Sequence, residues 1–74
     1  MTVYVVQGST EYEGSWLVSI HASPDGAEAV RAAEQAAVDR DIAEINDPAY
    51  LIRTGAAPVR QSTFFDVTPM EVQP

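Results

Sequence analysis

The chain has 74 residues, eleven of them acidic against four arginines, with no lysine, no cysteine and a net charge of −7. Without cysteine it has no disulfide and no thiolate to bind zinc or act as a nucleophile. Its charge repels phosphate backbones and anionic membranes and favours basic partners. The length predicts a single domain, residues 1–74, that buries only about 60–65% of its unfolded surface.

A β-hairpin is predicted at the start of the chain. Val3–Gln7 is β-branched and aromatic, Gly8–Gly14 is rich in turn residues, and Ser15–Ala22 alternates with period two. The alternation predicts two faces for the second strand, with Trp16, Val18 and Ile20 on one and Leu17, Ser19 and His21 on the other.

The main helix is predicted from Ala27 to Ile45, after the start signal Ser23–Pro24–Asp25, which offers a capping hydroxyl, an N1 proline and an acid near the dipole. Its apolar residues form two stripes rotated around the axis: Val30, Ala33 and Ala37, then Val38, Ile42 and Ile45. Either the helix bends or breaks near Asp39–Asp41, or it is apolar on two sides, which would suit a dimer. The first interpretation is favoured.

A second capping signal follows at Asn46–Asp47–Pro48 and predicts a short helix, Ala49–Thr54, ended by Gly55. Val59–Val72 is then extended, with Phe64, Phe65 and Val67 as its core, and Pro69 marks a bulge, an edge or the end of the strand. The predicted fold is α+β with a β-β-α-β order. A three-stranded antiparallel or mixed sheet has one face under the main helix, which is bent or followed by a short second helix.

Four segments together carry a resemblance to a known family: Val3–Val6, Glu11–Gly14, Leu17–Asp25 and Ala27–Ala29. Their pattern resembles a family of very short domains of unknown function in bacteria and their phages. Members run strand, tyrosine-and-acid turn, strand, serine-capped helix and terminal strand. The resemblance implies the β-β-α-β fold and a bacterial or phage source, and it implies no activity.

Catalysis, cofactors and metals are not expected. His21 is the single histidine, and the sequence places no acid or nucleophile beside it in a recognisable motif. No loop has the spacing of a calcium site, and Asp39 and Asp41 point about 200° apart on a helix. The four arginines are dispersed among acids, so direct binding of nucleic acid is not expected either. No signal peptide or membrane span is recognisable, which predicts the cytoplasm of a bacterial host.

Two acidic surfaces are the candidate partner-binding sites. Carboxylates on a helix can occupy a basic groove meant for a phosphate backbone, and an exposed aromatic between acids suits an interface. The candidate residues are Glu34, Asp39, Asp41, Glu44 and Asp47 on the helix and Glu11, Tyr12 and Glu13 in the turn. The alternative for the acids is a solvated surface that keeps the protein soluble.

The favoured hypothesis is therefore a small interaction protein from a phage or mobile element. It would bind and occlude a basic surface of a host protein, such as a nucleic-acid-binding protein, as anti-CRISPR inhibitors do. This step rests on analogy of size, charge and source. The alternative is a non-catalytic homodimeric structural or regulatory module, paired through its third strand or its rotated helix stripe.

Overall fold

Five elements follow one another along the chain in a computed structural model that describes residues 1–73. They are β1 (Thr2–Thr10), β2 (Gly14–His21), α1 (Pro24–Ile45), α2 (Pro48–Thr54) and β3 (Thr63–Glu71). The strands form one antiparallel sheet in the order β2-β1-β3, and α1 packs on one face of it. The predicted α+β class and β-β-α-β order are confirmed, and the sheet is purely antiparallel.

The hairpin is tighter than the sequence predicts. β1 continues through Gly8 to Thr10, which had been assigned to the turn, so only Glu11–Glu13 connects the strands. The Glu13 N–H donates to Thr10 Oγ1 at 2.9 Å, and Gly14 closes the turn with a φ of 81°. Glycine suits that left-handed position because it has no Cβ. Gly8–Thr10 therefore belong to β1 and not to the turn, and they pair with β2 on one side and with β3 on the other.

A β-bulge in β2 makes the predicted faces of that strand wrong. The register passes from Val6–Ser19 to Gln7–Leu17, so Val18 has no partner in β1. Directly paired residues share a face of a sheet, and one extra residue reverses the alternation beyond it. Trp16 consequently lies on the helix-covered face with Ser19 and His21. Leu17 lies on the opposite, uncovered face with Ile20.

The helix boundaries agree with the capping signals. Ser23 Oγ accepts from the Gly26 N–H at 3.1 Å, and Asp47 Oδ2 accepts from the Tyr50 N–H at 3.3 Å. Each cap is followed by a proline in the first turn. Gly55 ends α2 with a φ of 71°, its N–H donating to the carbonyl of Leu51. These signals are local, which is why the sequence alone locates them.

α1 is one uninterrupted helix of 22 residues, so the chain does not break near Asp39–Asp41, and the predicted short second helix, α2, follows it. A single stripe faces the sheet and α2, and Ala33 lies outside it on the exposed side. Gln35 lies on the half-buried side of the helix. Its amide binds the backbone of β3: Nε2 donates to the Thr63 carbonyl at 3.1 Å, and Oε1 accepts from the Phe65 N–H at 3.0 Å.

The core is small. Only Val5, Val6, Ala27 and Phe65 are buried apolar residues in the described chain, and Val6 has no exposed surface. Trp16 and Phe65 meet edge to face over Gly8, with ring centroids 6.1 Å apart. Of the predicted β3 core, Phe65 is buried and Val67 half-buried, whereas Phe64 points to the uncovered face and is mostly exposed.

The outer edge of β3 is blocked in two places. The Gln35 amide hydrogen-bonds to the Phe65 N–H and to the Thr63 carbonyl, which point away from β1. Pro69 lies on the same alternation and has no N–H to offer, which confirms that it marks an edge strand. Proteins block strand edges in these ways because a free edge templates pairing with another chain.

One ion pair on α1 gives a pH-dependent prediction. Arg31 Nε donates to Glu28 Oε2 at 2.8 Å and Nη2 to Oε1 at 2.6 Å, and the bonds from Arg31 lower the pKa of Glu28. A lowered pKa in the folded state stabilises the fold above the ordinary carboxyl pKa and is lost as the pH falls through the folded value. Glu28→Gln is therefore expected to reduce stability slightly near pH 7, with the difference from wild type vanishing in acid.

Urea unfolding at a series of pH values measures that difference. The control is the same substitution in an Arg31→Met background, which keeps the packing of the side-chain stem without the charge. In that background the ion pair is absent, so the stability difference caused by Glu28→Gln is expected to vary less with pH. If that difference varied with pH as strongly as it does when Arg31 is present, the effect would come from something other than the pair.

Candidate partner-binding surface

The acidic residues of α1 do not share one surface. The helix turns about 100° per residue, so Glu34, Asp41 and Glu44 fall within about 80° of one another, along about 15 Å of its length. Asp39 lies well outside that sector. All four side chains are exposed. The structure thus brings three of the predicted helix acids together, and we call Glu34, Asp41 and Glu44 the acidic ridge.

Asp39 and Asp47 are occupied by bonds within the fold. Asp39 Oδ1 accepts from Gln35 Nε2 at 3.2 Å and from Gln61 Nε2 at 2.8 Å, which ties α1 to the segment before β3. Asp47 caps α2. The acidic ridge differs from both, since its three carboxylates make no hydrogen bond or ion pair within residues 1–73. Of the predicted helix acids, these three are the ones whose carboxylates carry no bond within the described residues.

The segment between α2 and β3 is held against α1 by a second amide. Asn46 Nδ2 donates to the Val59 carbonyl and Asn46 Oδ1 accepts from the Val59 N–H, both at 2.7 Å. Together with the Asp39–Gln61 bond, this fixes residues 59–61 beside the hairpin turn. Gln35, Asn46 and Gln61 are not among the residues predicted from the sequence, because their amides bond to residues 13 to 30 positions away.

The turn Glu11–Glu13 lies at the mouth of a cleft of about 500 Å³. Its lining comes from Glu11 and Tyr12 on one side and residues 59–62 on the other, Arg60 included. Tyr12 is 87% exposed and does not fold onto the sheet. Glu11, Tyr12 and Glu13 therefore form a second exposed surface, separate from the ridge, that places an aromatic ring between two carboxylates and close to an arginine.

A second groove, of about 530 Å³, runs between the end of α1 and α2. Its charged lining is balanced, because Arg40 and Arg53 stand against Glu44 and Asp47. The Arg53 guanidinium carbon lies 5.7 Å from the centre of the Tyr50 ring. Because the lining carries charges of both signs, the groove favours neither anionic nor cationic ligands. It therefore suggests no class of ligand beyond the one that fits the acidic ridge.

Ser19 and His21 form the one pair with the chemistry of a nucleophile and its base. Ser19 Oγ and His21 Nε2 are 2.7 Å apart on the helix-covered face. A catalytic arrangement also needs a group that orients the histidine and donors for an oxyanion. Within residues 1–73, His21 Nδ1 has no hydrogen-bond partner, and its ring lies beside Gly26 in the first turn of α1, where a Cβ would be 3.5 Å from Nδ1.

Metal-ligating side chains do not converge in the described residues: no group of three or more His, Asp or Glu is close enough to hold an ion. Over the same residues, neither helix has the length and hydrophobicity that crossing a bilayer requires.

Comparison with known proteins adds no relative. The chain matches no protein-family model, no curated protein and no solved structure. The resemblance to short bacterial and phage domains therefore stays a hypothesis.

Proposed function

We propose that this protein is a small interaction module whose acidic ridge binds and covers a basic surface of another protein. The observation that carries the proposal is the grouping of Glu34, Asp41 and Glu44 on one side of a continuous helix, free of bonds within residues 1–73. Carboxylates held in a row by a helix meet arginine side chains without first breaking an internal bond, so little is lost on binding.

Size and charge support the same proposal. A net charge of −7 steers the chain toward positive surfaces and accelerates encounter at low salt. In the narrower form suggested by the resemblance to bacterial and phage domains, the partner is a host nucleic-acid-binding protein whose phosphate-binding groove the ridge occupies. Occlusion of that groove would make the protein a host-defence antagonist of the anti-CRISPR kind.

The proposal predicts that reversing the ridge abolishes partner binding. The triple variant Glu34→Lys, Asp41→Lys and Glu44→Lys is expected to weaken the affinity at least about tenfold, a loss of about 1.4 kcal/mol or more. The measurement has two steps. Immobilised protein first captures partners from bacterial lysate at about 0.05 M and 0.5 M salt, since screening weakens charge-driven contacts. Calorimetry then gives the affinity of the purified partner for each variant.

The matched control reverses three acids elsewhere: Glu11→Lys, Glu13→Lys and Asp25→Lys. Each reversal changes the net charge by two, so both triple variants move it from −7 to −1. The control is expected to lose only the long-range contribution, which slows association without removing the contacts. Equal losses in both variants would assign binding to overall charge or to the turn, and absence of any salt-sensitive partner would contradict the proposed function.

A further inference from the structure

The sheet has a second apolar face that nothing in the described chain covers. We call it the open sheet face, defined by Val3 of β1, Leu17 and Ile20 of β2, and Phe64 and Met70 of β3. Val5 of β1 lies between them and is itself buried, at 4% exposure. Four of these side chains are more than half exposed: Leu17 at 59%, Ile20 at 57%, Phe64 at 54% and Met70 at 52%. A sheet that is apolar on both faces is normally packed on both faces.

The molecule is elongated and exposes more surface than a compact monomer of its size. Its accessible surface is 5264 Å², whereas a compact monomer of this mass has about 4,500 Å². The radius of gyration is 16.0 Å, against about 11 Å for a compact domain of 74 residues, and the extents are 56 × 23 × 11 Å. The excess of about 800 Å² belongs to the whole elongated molecule, and the open sheet face contributes part of it.

The charges leave the open sheet face almost neutral. All the acids of α1 lie on the other side of the sheet, and the strand residues of the open face include one charge, Asp66. Asp66 is on the outer strand β3, so it lies at the rim, where a charge stays hydrated. Two copies joined through this face would keep their carboxylate-bearing helices on opposite outer surfaces, where a net charge of −7 on each copy opposes association least.

We propose that the open sheet face binds the same face of a second copy of this chain. The result is a symmetric dimer with four layers: helix, sheet, sheet and helix. A two-fold interface requires a surface that complements itself, and a nearly neutral apolar sheet face satisfies that requirement. The isolated chain has a core of only four buried apolar residues, so it buries little apolar surface. Contact with a second copy would bury more.

The competing dimer through the third strand is disfavoured by the same structure. Gln35 and Pro69 block the outer edge of β3, so continuous pairing there would cost two internal hydrogen bonds and lack one donor. The proposal does not depend on the proposed function, since the acidic ridge lies on α1 and the open face lies on the far side of the sheet.

Light scattering coupled to size exclusion tests the dimer, with protein loaded from about 5 to 200 µM so that an interface of micromolar affinity is also detected. The wild-type chain is expected to run at twice its mass of 8.0 kDa at the upper end of that range. Ile20→Lys places a charge among the exposed apolar side chains of the open sheet face and is expected to run as a monomer. Ile52→Lys is the matched control, because Ile52 is 84% exposed on α2, and it is expected to remain a dimer.

A double variant, Leu17→Thr with Ile20→Thr, guards against simple misfolding, since threonine keeps the strand preference without adding charge. Circular dichroism checks that each variant is folded, and this variant is also expected to be monomeric. A wild-type monomer throughout the range would overturn the proposal. A folded Ile20→Lys or double-threonine dimer would do so too, since it would place the contact elsewhere. A monomer whose open face binds only a different protein would count against it equally.

Discussion

Replacing Gly8 by valine is expected to lower the free energy of unfolding by about 3 kcal/mol, the upper end of the cost of overfilling a packed core. A Cβ at this position would lie 2.5 Å from Trp16 Cζ2 and 2.8 Å from Phe65 Cε1. Both rings pack directly over the glycine from the neighbouring strands, so relief of one contact worsens the other. A domain of this length has only about 4–11 kcal/mol in total.

The variants Gly8→Ala and Gly8→Val should show a graded loss in urea unfolding. The single tryptophan gives a second measurement, because a Trp16 ring displaced toward water shifts its fluorescence to longer wavelength. Ser9→Val is the matched control. It adds the same side chain to the next residue of β1, which points to the open sheet face, and it is expected to change stability by less than about 1 kcal/mol. A Gly8→Ala variant as stable as the wild type would contradict the prediction, because it would show that the two rings move aside without a cost in stability.

Replacing Gln35 by methionine is expected to cost about 2–3 kcal/mol. Methionine has a similar shape, but it leaves the Phe65 N–H and the Thr63 carbonyl without their partner, and an unsatisfied group in a partly buried position costs about 1–3 kcal/mol. Gln35→Glu should lie between wild type and Gln35→Met, because a carboxylate still accepts from the Phe65 N–H but no longer donates to Thr63.

Chemical denaturation gives the free energies, and amide hydrogen exchange reports on the bond itself. The Phe65 amide is expected to exchange faster in Gln35→Met than in wild type. Ala36→Met serves as the control at the next, exposed position of the helix, where a change within about 0.5 kcal/mol is expected. If the Phe65 amide kept its wild-type protection from exchange in Gln35→Met, the Gln35 side chain would not be the hydrogen-bond partner that protects it.

The parts of the fold that the sequence predicts are those set by neighbouring residues. Ser23, Asp47 and Gly55 act within three or four positions of themselves, so both helices were located with their caps. The side-chain directions in β2 depend on the bulge at Val18, which appears only when β1 and β2 are paired. The pairing of β3 with β1 is likewise a property of the whole chain.

The candidate surface was predictable in composition but not in arrangement. The sequence placed Glu34, Asp39, Asp41, Glu44 and Asp47 in one acidic stretch. Their separation depends on whether the helix is continuous and on what each carboxylate meets. Gln35 is a polar residue on the half-buried side of the helix, and its bonds to β3 could not be predicted because they depend on where β3 lies in the fold.

The order of the strands has a consequence for how the protein forms during synthesis. β1 precedes the other elements of this fold yet occupies the centre of the sheet, and its neighbour β3 follows only after both helices, with Thr2 paired to Glu71. The hairpin and α1 can form as the chain emerges, but Phe65 reaches the core only after them. Closing so long a segment is slow compared with local helix formation. Until β3 is made and pairs, β1 exposes an unpaired edge to other chains, and this is the interval in which the protein is most prone to aggregate.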